Sequence, residues 1–79
     1  MNKDEVVSKL ITLAGQVYHA DTAGFDADTK IHESLGTKSL FRMGYLAQIE
    51  DEFDVLIPIA EFGKIETFAD LADRVLEEM

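Results

Sequence analysis

The chain contains no cysteine or tryptophan, a single proline, and only seven basic residues against sixteen acidic ones. Without cysteine it has no disulfide, no thiolate zinc site and no thiol nucleophile, which fits a cytoplasmic protein. The formal net charge of −9 argues against a nucleic-acid partner, because the phosphates would be repelled. No apolar run approaches the roughly 20 residues that span a bilayer, so we expect no membrane insertion. The acidic start of the chain also differs from a signal peptide.

At 79 residues the chain is expected to form one domain, residues 1–79, near the lower size limit for independent folding. Its 47% apolar content is ordinary for a globular protein and argues against disorder. So small a domain has no room for a deep catalytic cleft, and nothing orders its serine, histidine and aspartate residues into a triad. We therefore expect a monomer that is not an enzyme and that holds small molecules at its surface, within a pliable helical core, or covalently.

Apolar residues at helical spacing predict a first helix from about residue 3 to about residue 18. Asn2 can cap this helix, and Glu5 stands three residues later in the capping-box position. One side of the predicted helix is apolar and should face the core: Val6, Val7, Leu10, Ile11, Ala14, Val17 and Tyr18.

No helical period holds between residues 19 and 38, where turn-forming glycine, aspartate and serine are frequent. A structureless loop of about 20 residues is unusual in a compact domain and indicates either a function or a misread element. We expect an ordered loop that wraps over the core and is held there by three apolar side chains: Phe25, Ile31 and Leu35.

A second helix is predicted to begin at Ser39 and to end near Phe53. Its buried face is expected to consist of six side chains: Leu40, Met43, Leu46, Ala47, Ile49 and Phe53. Phe41, Tyr45 and Gln48 lie off that face, so the pattern predicts that they are accessible.

The last third of the chain predicts one short and one long helix. Pro58 favours extended backbone before it, and a short helix over Ile59–Phe62 should end at Gly63 in a left-handed conformation. Thr67 then caps a last helix, with Asp70 in the capping-box position. Its inward face should comprise Phe68, Leu71, Ala72, Val75 and Leu76. The predicted fold is therefore all-α, with three long helices, one short helix and a long first loop.

The most informative segment opens the second helix and reads Leu35-Gly36-Thr37-Lys38-Ser39-Leu40. A helix N-terminus offers free backbone N–H groups and a favourable dipole to an anion, so the Ser39 hydroxyl is well placed to carry a phosphodiester. The simpler alternative is that Ser39 only caps the helix, a role worth about 1 kcal/mol for which Thr37 could compete.

This segment resembles the hallmark of the acyl carrier protein family, a leucine-glycine pair, two further residues and a serine-leucine pair at the start of the second helix. The resemblance covers nearly the whole chain. It extends to Phe53, to the Ile57-Pro58 pair, and to Lys64-Ile65-Glu66-Thr67 before the final helix. Length, acidity and the missing cysteine agree with the family as well.

The resemblance implies a four-helix bundle whose Ser39 receives 4′-phosphopantetheine from coenzyme A, through a separate phosphopantetheinyl transferase. The thiol of that arm would hold acyl groups as thioesters for fatty-acid, specialised-lipid or polyketide-type biosynthesis. The implied partners are acyl-activating, acyl-transferring or condensing enzymes, and the chain itself is a carrier without catalysis. A peptidyl or aminoacyl carrier is a close alternative with the same chemistry, and it would shelter its cargo poorly.

The chain departs from the family at the position before the serine, where Lys38 replaces the usual aspartate. Phe41, Gly44 and Ile59 also stand where the family often has acidic residues. From Thr37 to Ile49 the net charge is +2, whereas from Glu50 to Met79 it is −8. In the family, partners dock on the second helix, which usually carries acidic residues; here the start of that helix is positively charged instead. The role of Gly44 within it stays open.

We expect partners with an apolar or mildly acidic rim to bind a surface made of Lys38, Leu40, Phe41, Arg42, Tyr45 and Ile59. Aromatic residues are enriched among the residues that dominate binding energy, which favours Phe41 and Tyr45 as anchors. Three alternatives remain. These side chains could be isolated exposed apolar residues; the chain could be an unmodified helical adaptor that binds a partner through Phe41, Tyr45 and Ile59; or Lys38 could mark a carrier that is no longer modified.

No metal site is predicted. The segment from Asp26 to Ile31 begins like a calcium loop, but it has lysine at the fifth position and isoleucine in place of the required glycine. His19 and His32 could meet Asp21 and Glu33 across the loop, although isolated surface histidines are the simpler interpretation.

Overall fold

The computed structural model describes all residues from Met1 to Met79 and is entirely helical, as predicted. Its five helices are α1 (Lys3–Tyr18), α2 (Ile31–Leu35), α3 (Ser39–Phe53), α4 (Ile59–Phe62) and α5 (Phe68–Glu78). The three long helices and the short α4 match the predicted all-α bundle, and α2 is an addition inside the predicted loop. None of the five combines the length and apolar character that crossing a membrane requires.

Capping boxes fix the start of the first and the last helix, as predicted. The Asn2 side chain accepts from the Glu5 N–H at 2.9 Å, and the Glu5 carboxylate accepts from the Asn2 N–H at 3.3 Å. Thr67 and Asp70 make the same reciprocal pair at 3.1 and 3.3 Å. Each box satisfies two backbone N–H groups that the helix leaves without partners, so both helices begin where the sequence indicates.

One hydrophobic core holds the helices together, with α1 packed against both α5 and α3. It consists of 17 buried residues, none of them charged. The inward faces of α1 and α5 largely agree with prediction, although Leu13 replaces Ile11 and Val17 among the buried residues of α1. The side chains with no exposed area are Val6, Leu10, Ala14, Ile31, Tyr45, Ile49, Phe62, Phe68, Leu71, Ala72 and Val75.

The predicted buried face of α3 is wrong at Leu40, Met43 and Ala47, which are exposed. Tyr45 has no exposed area and faces the core with Ile49 and Phe53, whereas Leu40 is 79% and Met43 62% exposed. α3 is apolar on more than one side, so its sequence alone does not select the inward face. Packing selects the face with the larger ring, because the Tyr45 hydroxyl donates to the Leu10 carbonyl at 2.7 Å and buries no unpaired polar atom.

The long first connection is ordered and contains the short helix α2. Ile31 is fully buried, and Phe25 and Leu35 pack against the core, so the three predicted contacts of this segment are confirmed. The Ile31 N–H also donates to the Glu66 carbonyl at 2.8 Å, which joins this segment to the residues before α5. A five-residue helix is too short to show a period, and α2 is therefore absent from the sequence prediction.

Two glycines differ in what they do. A Cβ at Gly44 would lie 3.3 Å from Val17 Cγ1, so this glycine permits close approach of α1 and α3. Gly63 has φ −60°, and the predicted left-handed end of α4 is wrong. The chain instead continues in a turn, in which the Lys64 N–H donates to the Glu61 carbonyl at 3.0 Å.

Candidate functional site

Ser39 is the first residue of α3 and is exposed. Lys38 occupies the N-cap position in extended geometry, and no side chain caps the helix. The alternative in which Ser39 serves as the helix cap is therefore wrong, and Thr37 does not take that role either. The hydroxyl of Ser39 is left at the surface of a helix end that has no cap.

The N-terminus of α3 presents unpaired backbone donors. The first helical hydrogen bond runs from the Arg42 N–H to the Lys38 carbonyl at 3.1 Å, so the N–H groups of Ser39, Leu40 and Phe41 have no partner within the helix. The first turn contains no acidic residue. The helix dipole, the free donors and the positive charge of Lys38 all favour an anion at this point.

Gly36 shapes the connection that leads to Ser39. Its φ of 86° and ψ of −174° lie in a region open essentially to glycine alone, and its N–H donates to the His32 carbonyl at 3.0 Å to end α2. A Cβ at this position would meet no atom within 4 Å, so the requirement for glycine is conformational rather than steric. The left-handed turn allows the chain to leave α2 and begin α3 four residues after Leu35.

An apolar surface lies beside Ser39. Leu40 is 79% exposed and Ile59 41%, as the predicted partner surface requires, and Lys38 is exposed too. A groove of about 300 Å³ continues this surface between α3 and α4. We name it the α3–α4 groove; its lining residues are Met43, Leu46, Ala47, Glu50, Leu56 and Ile59.

The sequence analysis missed three exposed apolar residues of this groove. Met43 and Ala47 belong to the predicted buried face of α3, and Leu56 was not considered, although it is 69% exposed. Leu56 stands between the buried Val55 and Ile57, in the segment for which Pro58 predicts extended backbone. Because side chains alternate along extended backbone, that position could have been recognised as outward-facing.

Tyr45 cannot act as a partner anchor, contrary to the sequence prediction. Its side chain has no exposed area, and its hydroxyl is held by the Leu10 carbonyl. Phe41 is half-buried: its ring centroid lies 5.7 Å from that of Tyr18 and 6.4 Å from that of His19. Of the two predicted aromatic anchors, only Phe41 reaches the surface.

Arg42 is half-buried in a contact that joins three helices. Its Nη2 donates to His32 Nδ1 at 3.0 Å, and His32 Nε2 in turn lies 3.1 Å from the Phe62 carbonyl oxygen. This arrangement assigns the neutral tautomer in which His32 Nε2–H donates to that carbonyl. The guanidinium also lies over the Phe62 ring, 5.9 Å from its centroid. His32 is therefore not the isolated surface histidine that the sequence indicated.

No group of three or more histidine, aspartate and glutamate side chains is placed to hold a metal ion. His19 faces the ring of Phe41, while His32 binds Arg42 and the Phe62 carbonyl. The two histidines are thus engaged separately.

The family model described as "Phosphopantetheine attachment site" matches residues 8–75. The chain belongs to this family. An acyl carrier protein of Lactobacillus acidophilus is 29% identical to it over 75 residues, which cover 95% of this chain and 94% of the relative. The predicted membership of the acyl carrier protein family is confirmed, and so is covalent 4′-phosphopantetheine as its cofactor.

In this member of the family, Lys38 leaves the N-terminus of α3 without a side-chain cap, and we expect this to cost stability. Lys38 has the extended backbone of an N-cap but no side chain that accepts from the free N–H groups. We expect Lys38→Asp to raise the free energy of unfolding by about 1–2 kcal/mol, because aspartate supplies both a cap and a favourable charge. Urea unfolding followed by circular dichroism measures the change.

Lys38→Gln is the control for this prediction, because glutamine removes the positive charge but caps poorly. It should raise the free energy of unfolding by less than half as much. Equal stabilisation by both variants would mean that charge alone matters, and no stabilisation by Lys38→Asp would contradict the geometry assigned to this helix end.

Proposed function

We propose that this chain is an acyl carrier whose Ser39 bears 4′-phosphopantetheine as a phosphodiester. The observation that carries the proposal is the position of Ser39, exposed at the uncapped N-terminus of α3. The match to the phosphopantetheine attachment family includes this residue. The residues around Ser39 suit phosphopantetheine. The free N–H groups of Leu40 and Phe41 and the positive charge of Lys38 attract the negative charge of its phosphodiester.

Attachment forms a bond between the Ser39 oxygen and the phosphorus that pantetheine carries in coenzyme A. The pyrophosphate bond of coenzyme A breaks, the nucleotide part leaves, and the proton of the hydroxyl is lost. A separate transferase catalyses this step, because the charged side chains nearest to Ser39 along the chain are Lys38 and Arg42, neither of which is a suitable base. Once attached, the group supplies a thiol that forms thioesters with acyl groups.

The surface that supports docking of partner enzymes consists of Lys38, Leu40, Phe41 and the α3–α4 groove. Arg42 adds positive charge near its edge. Exposed apolar side chains of this size beside a functional residue are typical of interaction sites. The local positive charge favours a partner rim that is apolar or mildly acidic over a basic one. Such partners are the transferase and the acyl-activating, acyl-transferring or condensing enzymes of fatty-acid, specialised-lipid or polyketide-type synthesis.

The test is the intact mass of the protein after incubation with coenzyme A and a broad-specificity phosphopantetheinyl transferase. We expect a gain of one phosphopantetheine, absent in Ser39→Ala. Ser34→Ala is the matched control, because Ser34 is also exposed and lies five residues earlier; it should be modified like the unaltered chain.

A gain in Ser39→Ala would place the attachment elsewhere. No gain in vitro, together with an unmodified mass of the protein taken from its own host, would contradict the carrier function. That result would favour the alternative of an unmodified helical adaptor, which would now bind through Leu40, Phe41 and Ile59 without Tyr45. Partner binding by such an adaptor should survive Ser39→Ala.

A further inference from the structure

Two cations of this chain are half-buried, Arg42 and Arg74, and they are held in different ways. Arg74 is paired with the carboxylates of Glu61 and Glu78. Arg42 forms no ion pair: its Nη2 donates to His32 Nδ1 at 3.0 Å, and its buried Nε has no partner in the protein. A neutral imidazole therefore holds a partly desolvated positive charge, where an anion would be the usual partner.

The contact between His32 and Arg42 requires the neutral form of the histidine. A guanidinium has only donors, so Nδ1 must offer a lone pair. Nε2–H is directed at the Phe62 carbonyl oxygen at 3.1 Å, which leaves Nδ1 as the one acceptor of the ring. Protonation of Nδ1 would set two donors and two positive charges against each other at 3.0 Å. The hydrogen bond to Phe62 survives protonation, whereas the hydrogen bond from Arg42 does not.

The imidazole of His32 is open to water and has few charged neighbours. It lines an open cavity of about 310 Å³ with three charged side chains: Lys30, Glu33 and Glu66. α3 contributes Arg42, and the one titratable side chain of α4, Glu61, is paired with Arg74 of α5. No carboxylate forms an ion pair with the ring. A protonated His32 therefore has no anion in contact that would replace the lost hydrogen bond.

We propose that His32 is a pH-sensitive latch on Arg42. The neutral imidazole holds the guanidinium half-buried against the ring of Phe62, and the protonated imidazole releases it to the surface. Histidine side chains change charge between about pH 5 and pH 8, so moderate acidification opens the latch. Arg42 lies three residues after Ser39, about one turn along the same helix. Its release makes the docking surface beside Ser39 more positive, an effect that rests on the proposed function.

NMR of the unmodified, ¹⁵N-labelled chain between about pH 8 and pH 5 tests the latch. At the alkaline end, the ring nitrogen signals of His32 should show the neutral form with its proton on Nε2. The Arg42 Nε–H signal should then change with the same pH midpoint as the His32 ring. Released Nε–H meets water, so its hydrogen exchange at the acid end should be at least about threefold faster than in His32→Gln, and equal to it at the alkaline end.

Two variants separate the latch from general effects of acid. His32→Gln keeps an acceptor oxygen and a donor N–H but cannot take up a proton, so the Arg42 signal should no longer follow the pH. His19→Asn is the matched control, because His19 is the other histidine of the chain and asparagine tolerates its left-handed backbone, with φ 54°. The pH response of Arg42 should be complete in that variant. The titration of the unaltered chain depends on no variant.

The effect on docking is measured as the KM of the phosphopantetheinyl transferase for the chain. The KM of the unaltered chain is divided by that of His32→Gln at the same pH, which cancels the pH dependence of the transferase itself. We expect a ratio near one at about pH 8 and a ratio of about one-half or less at about pH 6. The released charge should strengthen binding, because the expected partner rim is mildly acidic.

Four results would overturn the latch: a proton on Nδ1 at alkaline pH, a His32 ring that stays neutral to about pH 5, an Arg42 signal that ignores the titration of His32, or one that still follows pH in His32→Gln. A KM ratio of one or more at the acid end would overturn the effect on docking alone. Failure of the proposed function is distinguishable, since a chain that never gains phosphopantetheine refutes that function, whereas the NMR result is obtained on the unmodified chain.

Discussion

Phe62→Ala is expected to lower the free energy of unfolding by about 3–5 kcal/mol, the usual cost of removing a buried phenylalanine. Phe62 has no exposed area although α4 is a single turn. Its ring makes edge contacts with Tyr45 at 5.8 Å and His32 at 5.0 Å. Arg42 lies over the same ring, so the substitution removes the centre around which α2, α3 and α4 meet.

This loss is large for so short a chain. The total stability expected for this chain length is roughly 4–12 kcal/mol, so Phe62→Ala should leave a marginal protein or an unfolded one. Urea unfolding at neutral pH measures the difference. Leu56→Ala is the matched control, because Leu56 is 69% exposed and its loss should change the free energy by no more than about 0.5 kcal/mol. Similar effects of the two substitutions would contradict the packing described here.

The features that the sequence predicted well depend on local signals. The capping boxes of Asn2 with Glu5 and of Thr67 with Asp70 span only three residues each, so a short stretch of sequence contains the whole interaction. The same holds for the start of α3 at Ser39, which follows Gly36 and the motif around it. Such signals locate helix ends without knowledge of the fold.

The features that the sequence did not predict depend on distant partners. Tyr45 faces inward because its hydroxyl meets the Leu10 carbonyl, 35 residues away in the chain. α2 depends in the same way on the hydrogen bond of Ile31 to Glu66. An apolar helix face and a five-residue segment leave several arrangements open, and tertiary contacts choose among them.

The same distinction between local signals and distant partners applies to the candidate site. The position and exposure of Ser39 and Leu40 follow from the motif, although Leu40 was also assigned to the buried face of its helix. The contact of the Tyr18 ring with Phe41 could not be foreseen, because it depends on how α1 and α3 pack. Close packing there is in turn possible because position 44 is glycine, with Val17 3.3 Å from where a Cβ would stand.

Alkaline pH is expected to unfold this protein through its buried tyrosines. Burial raises the pKa of Tyr18, and burial together with the nearby Tyr18 raises the pKa of Tyr45 well above its ordinary value of 10.0. In the unfolded chain these tyrosines therefore lose their protons at a lower pH than in the folded protein. The stability that they contribute is complete below about pH 10 and is lost as the pH rises from there towards the folded-state pKa, at up to about 1.4 kcal/mol per pH unit for each group.

Tyr45→Phe isolates this effect, because every other titrating group is the same in both proteins. At pH 7 the variant should be less stable by about 1 kcal/mol, the net worth of the lost hydrogen bond to Leu10. At about pH 11 the unaltered chain should have lost about 1.4 kcal/mol through Tyr45, so the two stabilities should cross near that pH. Urea unfolding at several pH values measures the crossing, and parallel pH profiles would contradict the burial assigned to Tyr45. Tyr18→Phe should show a weaker pH effect and no cost at pH 7, because its hydroxyl has no partner in the protein.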